Sequence, residues 1–122
     1  MSINISKYDP QNIFAKILRK EIPCKAIYEN DFVLAFHDIA PQAPVHALII
    51  PKNPYTCYSD FAERAAPEEL VAFSKAIAHV AKELGLEDNG YRIISNIGRD
   101  SGQEVPHFHF HIMGGKQLGF MG

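Results

Sequence analysis

His107-Phe108-His109-Phe110-His111-Ile112-Met113 is the stretch that decides how this 122-residue chain is read. Side chains alternate faces along a β-strand, so His107, His109 and His111 share one face. Phe108, Phe110 and Ile112 share the other, where a core has to cover them. Neighbouring histidines then lie about 6.6 Å apart along the strand and the outer two about 13 Å. The chain has six histidines and three of them stand here, a concentration that composition alone does not produce. Three readings suit the pattern. Two imidazoles at i and i+2 can share a zinc ion about 2.0–2.1 Å from each nitrogen, with His46 or His37 as a further ligand. One imidazole can act as nucleophile or general base while its neighbours bind an anion or hold its tautomer. In the third reading the rings are hydrogen-bonded bystanders.

The flanks favour an anion. Gly98 to Glu104 is polar and glycine-bearing, hence a loop, and Ser101-Gly102-Gln103 offers backbone N–H groups to a phosphate. Gly114-Gly115 closes the histidine strand. Upstream, Tyr91 to Ser95 reads as a strand. Pro67 opens a long helix with Glu68 and Glu69 in its first turn, Leu70, Phe73, Ile77, Val80, Ala81 and Leu84 on one face, and Gly85 as the C′ residue. Further back, His46 to Ile50 is a strand stopped by Pro51, Asp38 to Pro44 is a loop with two prolines, and Phe32 to Phe36 is apolar throughout, as in a strand covered on both faces. Ala26 to Tyr28 precedes the turn residues Asn30-Asp31. Asp9-Pro10 starts a short helix that carries Ile13, Phe14, Ile17 and Leu18 to about Lys20, with Pro23 beyond it. Helix, three strands, long helix and two strands predict an α+β domain with a mainly antiparallel sheet; strand order is not readable from this.

The bulk properties exclude other classes. At 47% hydrophobic and 21% charged residues, residues 1–122 make one ordinary globular domain. The formal net charge of −2 gives no general attraction to nucleic acid or to an anionic membrane. Cys24 and Cys57 form no metal-ribbon spacing and read as reduced thiols. Met1 to Pro10 holds no apolar run for a signal peptide, and the strongly apolar Ala47 to Ile50 is far too short to span a bilayer. The expected location is the cytoplasm.

The form His-φ-His-φ-His-φ-φ, with φ apolar, resembles the signature of the histidine triad (HIT) family. Ile13-Phe14-Ala15-Lys16-Ile17, Lys20-Glu21-Ile22-Pro23, Phe36-His37-Asp38-Ile39-Ala40-Pro41-Gln42-Ala43-Pro44, His46 to Lys52 and Gly102-Gln103-Glu104-Val105 are similar to other parts of it, so that residues 12–115 are covered. The nearest branch is that of the histidine triad nucleotide-binding proteins, similar to purine nucleoside phosphoramidases. The resemblance implies a five-stranded antiparallel sheet with a short N-terminal helix and one long helix, and a homodimer that continues the sheet. It implies that His109 attacks the α-phosphorus of a purine nucleoside 5′-phosphoramidate, an amine leaves, and water releases the monophosphate from the nucleotidyl-histidine. His111 would donate to the phosphate oxygens, and His107 and His46 would orient the site. Asp38 would accept from the ribose hydroxyls, while Ile22, Phe36 and Ile39, with Phe14 at the periphery, would hold the base. Asn96 and the Gly102-Gln103-Glu104 segment would meet the phosphate. No metal or other cofactor is implied. A diadenosine polyphosphate hydrolase and a non-catalytic nucleotide-binding module are the alternatives. The chain departs from the pattern at Glu104, where some relatives carry serine, at Pro106, which costs one strand N–H, and in its short tail from Lys116 to Gly122.

Overall fold

The computed structural model describes residues 4–120. The outermost residues of the N-terminal and tail readings, 1–3 and 121–122, lie outside it. Five strands, β1 (Ala26–Glu29), β2 (Val33–His37), β3 (Val45–Pro51), β4 (Tyr91–Ile94) and β5 (Phe110–Gly114), form one sheet in the order β1-β2-β3-β5-β4. Every neighbouring pair is antiparallel. The expected α+β class with an antiparallel five-stranded sheet is therefore observed. Three helices accompany it: α1 (Ile13–Leu18), α2 (Tyr58–Arg64) and α3 (Pro67–Glu83).

β2 and β3 are buried on both faces, as the uninterrupted apolar runs predict. Val33, Ala35, Ala47 and Ile49 face a core shared with Phe61 of α2 and with Phe73, Ala76 and Val80 of α3. Leu34, Phe36, Leu48 and Ile50 face Phe14 and Ile17 of α1. Phe108 anchors the first core, with its ring 4.7 Å from Phe61 and 4.9 Å from Phe73 between centroids. α3 ends as the sequence requires, with Gly85 at φ 72°. At its start the Glu69 side chain reaches back to the N–H of Ala66, a half capping box in which alanine returns nothing. Leu70, expected on the apolar face, sits at its margin and is exposed.

Several boundaries differ from the sequence reading. α1 begins after Asn12, not at Asp9-Pro10, because the Asn12 side chain accepts from the N–H of Ala15, while Asp9 holds a preceding turn by accepting from Gln11 N–H. The helix closes before Pro23: Lys20 takes a left-handed φ of 64°, its N–H reaches Ile17 O, and Glu21 N–H reaches Lys16 O. This is a Schellman ending without its glycine. α2 is unforeseen, since it buries little besides Phe61 and shows no periodic stripe. The ladder of β5 starts at Phe110, not His107. Phe108 N–H donates to Tyr55 O, so the strand hydrogen bond expected to be missing at Pro106 has no ladder there to be missing from.

Two stability measurements follow. Phe108→Ala is expected to cost about 3–5 kcal/mol in denaturant unfolding. Lys20→Gly is expected to raise stability by about 1 kcal/mol, because glycine enters the left-handed region without a Cβ penalty; an unchanged or lower midpoint would contradict the Schellman ending.

Candidate active site

Four imidazoles gather on the face of the sheet that carries α1. His111 lies opposite Leu48 in the β3–β5 register, and His46, two residues before Leu48, lies opposite Met113. His109 is 5.1 Å from His111 between ring centroids, and Phe14 of α1 stands edge-on to His109 at 4.9 Å. The alternation expected of a strand therefore holds through His109 and Phe108, although their backbone precedes the ladder.

Backbone partners decide which ring nitrogens carry protons. An amide can only donate and a carbonyl can only accept. His109 Nδ1 lies 2.7 Å from His107 O, so Nδ1 holds the proton and Nε2 holds the lone pair. His107 Nε2 lies 2.9 Å from Pro51 O and is protonated, which makes Nδ1 the acceptor of the Tyr8 hydroxyl at 2.6 Å. Gln42 N–H donates to His46 Nδ1, leaving the His46 proton on Nε2, 2.9 Å from His111 Nδ1. His111 therefore accepts at Nδ1 and presents N–H at Nε2. Among the described residues no buried side-chain nitrogen or oxygen lacks a partner, so Nε2 of His109, which has none, opens on solvent. The pair that results is a nucleophilic lone pair beside a donor.

Asp38 closes the far side. One carboxylate oxygen accepts from Ala40 N–H at 2.8 Å and the other stands 3.4 Å from His46 Nε2. Asp38 is thus both a loop cap and a neighbour of the histidines. A cleft of about 210 Å³ brings Ile22, Phe36, Asp38, Ile39, Glu104 and His111 together. Phe36 is buried at its floor, while Ile39 is 91% exposed at its mouth. His37 is exposed at the end of β2. Donor atoms of Asp38, His46 and His111 lie within 4.8 Å of one another, but an ion there would need the lone pair of His46 Nε2, where the Gln42 amide keeps a proton.

The Gly102 loop is tied more firmly than its polar sequence suggests. Gln103 is buried, donates through Nε2 to Thr56 O and Val105 O, and accepts at Oε1 from Gly98 N–H. Its own N–H goes to Gly98 O and that of Gly102 to Arg99 O. Gln103 thus acts here through its loop-pinning side chain, a role its sequence position does not signal. Asn96 is half-buried beyond the end of β4. Ser95, not singled out from sequence, donates to His109 O at 2.8 Å, and Tyr8 likewise carried no local signal.

Burial dominates the electrostatics. It holds His107 at about 4, below the ordinary value near 6.5. Burial, with His109 and His46 adding to it, holds His111 at about 4. The same cause lowers His109, against the opposing pull of its hydrogen bond to His107 O, Asp38 and Glu104, and lowers His46 against Asp38. All four rings are neutral near pH 7. The unfolded chain binds protons as pH drops below about 6.5, whereas folded His107 binds its proton only near 4, so stability is full above that window and is lost within it. Urea midpoints stepped from about pH 7 to pH 4 are expected to fall, with about 3 kcal/mol from His107 alone. A flat profile would contradict a buried neutral ring.

The profile of the HIT domain family matches residues 19–118. An uncharacterized 13.2 kDa HIT-like protein of Azospirillum brasilense is 52% identical over 114 residues, covering 93% of each chain. A purine nucleoside phosphoramidase of Escherichia coli (strain K12) is 43% identical over 114 residues, covering 91% of this chain and 92% of its own. Among solved structures, a HIT family hydrolase of Clostridium thermocellum superposes with a TM-score of 0.83 at 39% identity, over 89% of this chain and 94% of that one. With the triad, the cleft and the sheet order in place, the chain belongs to the HIT domain family.

Proposed function

We propose that this protein hydrolyses the P–N bond of purine nucleoside 5′-phosphoramidates. The observation that carries the reading is the tautomer of His109: its Nδ1 proton is held by His107 O, so an unprotonated Nε2 is available at neutral pH. That lone pair attacks the α-phosphorus, the P–N bond breaks, and the amine leaves carrying a proton taken up from solvent. His111 presents Nε2–H to the phosphoryl oxygens as their charge grows. Water then attacks the nucleotidyl-histidine, gives a proton back to solvent, and releases AMP or GMP with His109 restored. Asp38 receives the ribose hydroxyls on the carboxylate edge not spent on Ala40. Ile22, Phe36 and Ile39 hold the base, and Asn96 and the Gly102-Gln103 amides meet the phosphate. For those amides to do so, the turn bonds they make to Arg99 O and Gly98 O have to yield. The mechanism asks for no metal, in keeping with the proton on His46 Nε2. The relative named as a purine nucleoside phosphoramidase supports the same reaction.

Glu104 favours this substrate class over a diadenosine polyphosphate. It is exposed in the wall of the cleft that His111 also lines. A carboxylate there attracts a departing amine and repels a departing polyphosphate. The assembly we propose is a homodimer through β4. That strand ends the sheet, and its Tyr91 and Ile93 are exposed, as suits pairing with a second copy. The two cysteines, half-buried and buried, are unpaired, which agrees with a cytoplasmic location. Among the described residues no helix is long and apolar enough to cross a membrane.

AMP release from an adenosine 5′-phosphoramidate, with a chelator present, is expected from the wild type. His109→Ala is expected to lose about 10³-fold or more in turnover while still binding AMP. Turnover by that variant would remove His109 as nucleophile. AMP binding by the wild type without turnover would favour the binding-module alternative. Glu104→Ser is expected to raise the rate on diadenosine polyphosphate relative to the phosphoramidate, and a wild-type preference for the dinucleotide would reverse the assignment. Ile93→Arg is expected to sediment as a monomer if β4 joins two copies.

A further inference from the structure

Among the described residues, the hydroxyl of Tyr8 makes the one hydrogen bond to the histidine rings that comes from outside the sheet and its loops. Tyr8 lies ahead of α1, in a segment held to the body at a second point, where Thr56 Oγ1 donates to Ile5 O. Its ring stands edge-on to His107 at 5.6 Å between centroids. His107 is fully buried and has two nitrogens to satisfy. Pro51 O takes the proton on Nε2, and among the described residues the Tyr8 hydroxyl alone meets the lone pair on Nδ1. The carbonyl of this same residue accepts the Nδ1 proton of His109. His107 is therefore clamped between β3 and the N-terminal segment, and its carbonyl sets the tautomer of the nucleophile.

We propose that Tyr8 is a positioning residue: by donating to His107 Nδ1 it holds the His107 carbonyl where it keeps the His109 proton on Nδ1 and the lone pair on Nε2. Without that donor, His107 keeps a buried lone pair with no partner, which costs as much as a lost hydrogen bond. The ring then gains by rotating or by switching its proton, and either change moves the backbone that orients His109. The role rests on His109 as nucleophile. Its structural part, the tautomers of two rings, can be read without any substrate.

The test is ¹⁵N NMR of the imidazole nitrogens in histidine-labelled full-length protein, wild type beside Tyr8→Phe, with kinetics on the phosphoramidate in parallel. In the wild type, His107 should show a protonated Nε2 and an accepting Nδ1, and His109 the reverse. In Tyr8→Phe the His109 signals should move toward mixed tautomers, and kcat should fall about tenfold, the factor one buried hydrogen bond commands, with KM little changed. Tyr8→Phe removes one oxygen and keeps the ring, and thermal melting checks that the variant is folded. A wild-type spectrum with His107 protonated on Nδ1 overturns the proposal without recourse to any variant. So does a folded Tyr8→Phe protein with unchanged His109 signals. If the tautomers shift as stated while neither protein turns over the phosphoramidate, the Tyr8 role stands and the substrate assignment fails.

Discussion

A backbone carbonyl on one histidine decides what the next histidine can do. His107 O accepts from His109 Nδ1, and that bond separates a ring with a free lone pair from one that presents only a proton. A neutral imidazole has one donor and one acceptor nitrogen, so a partner with no choice of role fixes the rest. Pro51 O does this for His107 and Gln42 N–H for His46, and His46 passes the constraint to His111. Every ring in the cluster takes its proton position, directly or through one neighbour, from a main-chain group. The site is thus only as well defined as the chain path at residues 42, 51 and 107.

That path is held by the cores on the two faces of the sheet. Phe108 enters the aromatic group of Phe61 and Phe73 on one face, which leaves His107 and His109 to the other. There Phe14 of α1 stacks edge-on against both rings. Gln103 ties the loop before them to Thr56 O, on the far side of the sequence. Packing, loop pinning and tautomer selection are one arrangement seen at three distances.

Much of this was legible in the residues. Alternation at 107–112 placed the imidazoles and phenylalanines on opposite sides, the apolar run at 32–36 marked a strand covered twice, and Gly85 marked the end of the long helix. What escaped had no local signature. α2 buries one aromatic residue and lacks a stripe. Asn12 takes the cap in place of Asp9 because its side chain reaches Ala15 N–H, while Asp9 is spent on the turn before it. Lys20 occupies a position that glycine usually announces. The His107 backbone leaves the ladder because Phe108 N–H finds Tyr55 O, a partner 53 positions away by number. Tyr8 and Ser95 act on the histidines through contacts that only the folded chain creates.

Burial that keeps the four rings uncharged also shapes how an anion is met. A phosphate entering here finds oriented N–H dipoles and no full positive charge on any imidazole. Dipoles act within a few ångströms and fall off faster than charges. Mobile ions therefore have little long-range attraction to screen. Under the proposed function, an anion is caught at this cluster by contact geometry and not by charge on the imidazoles.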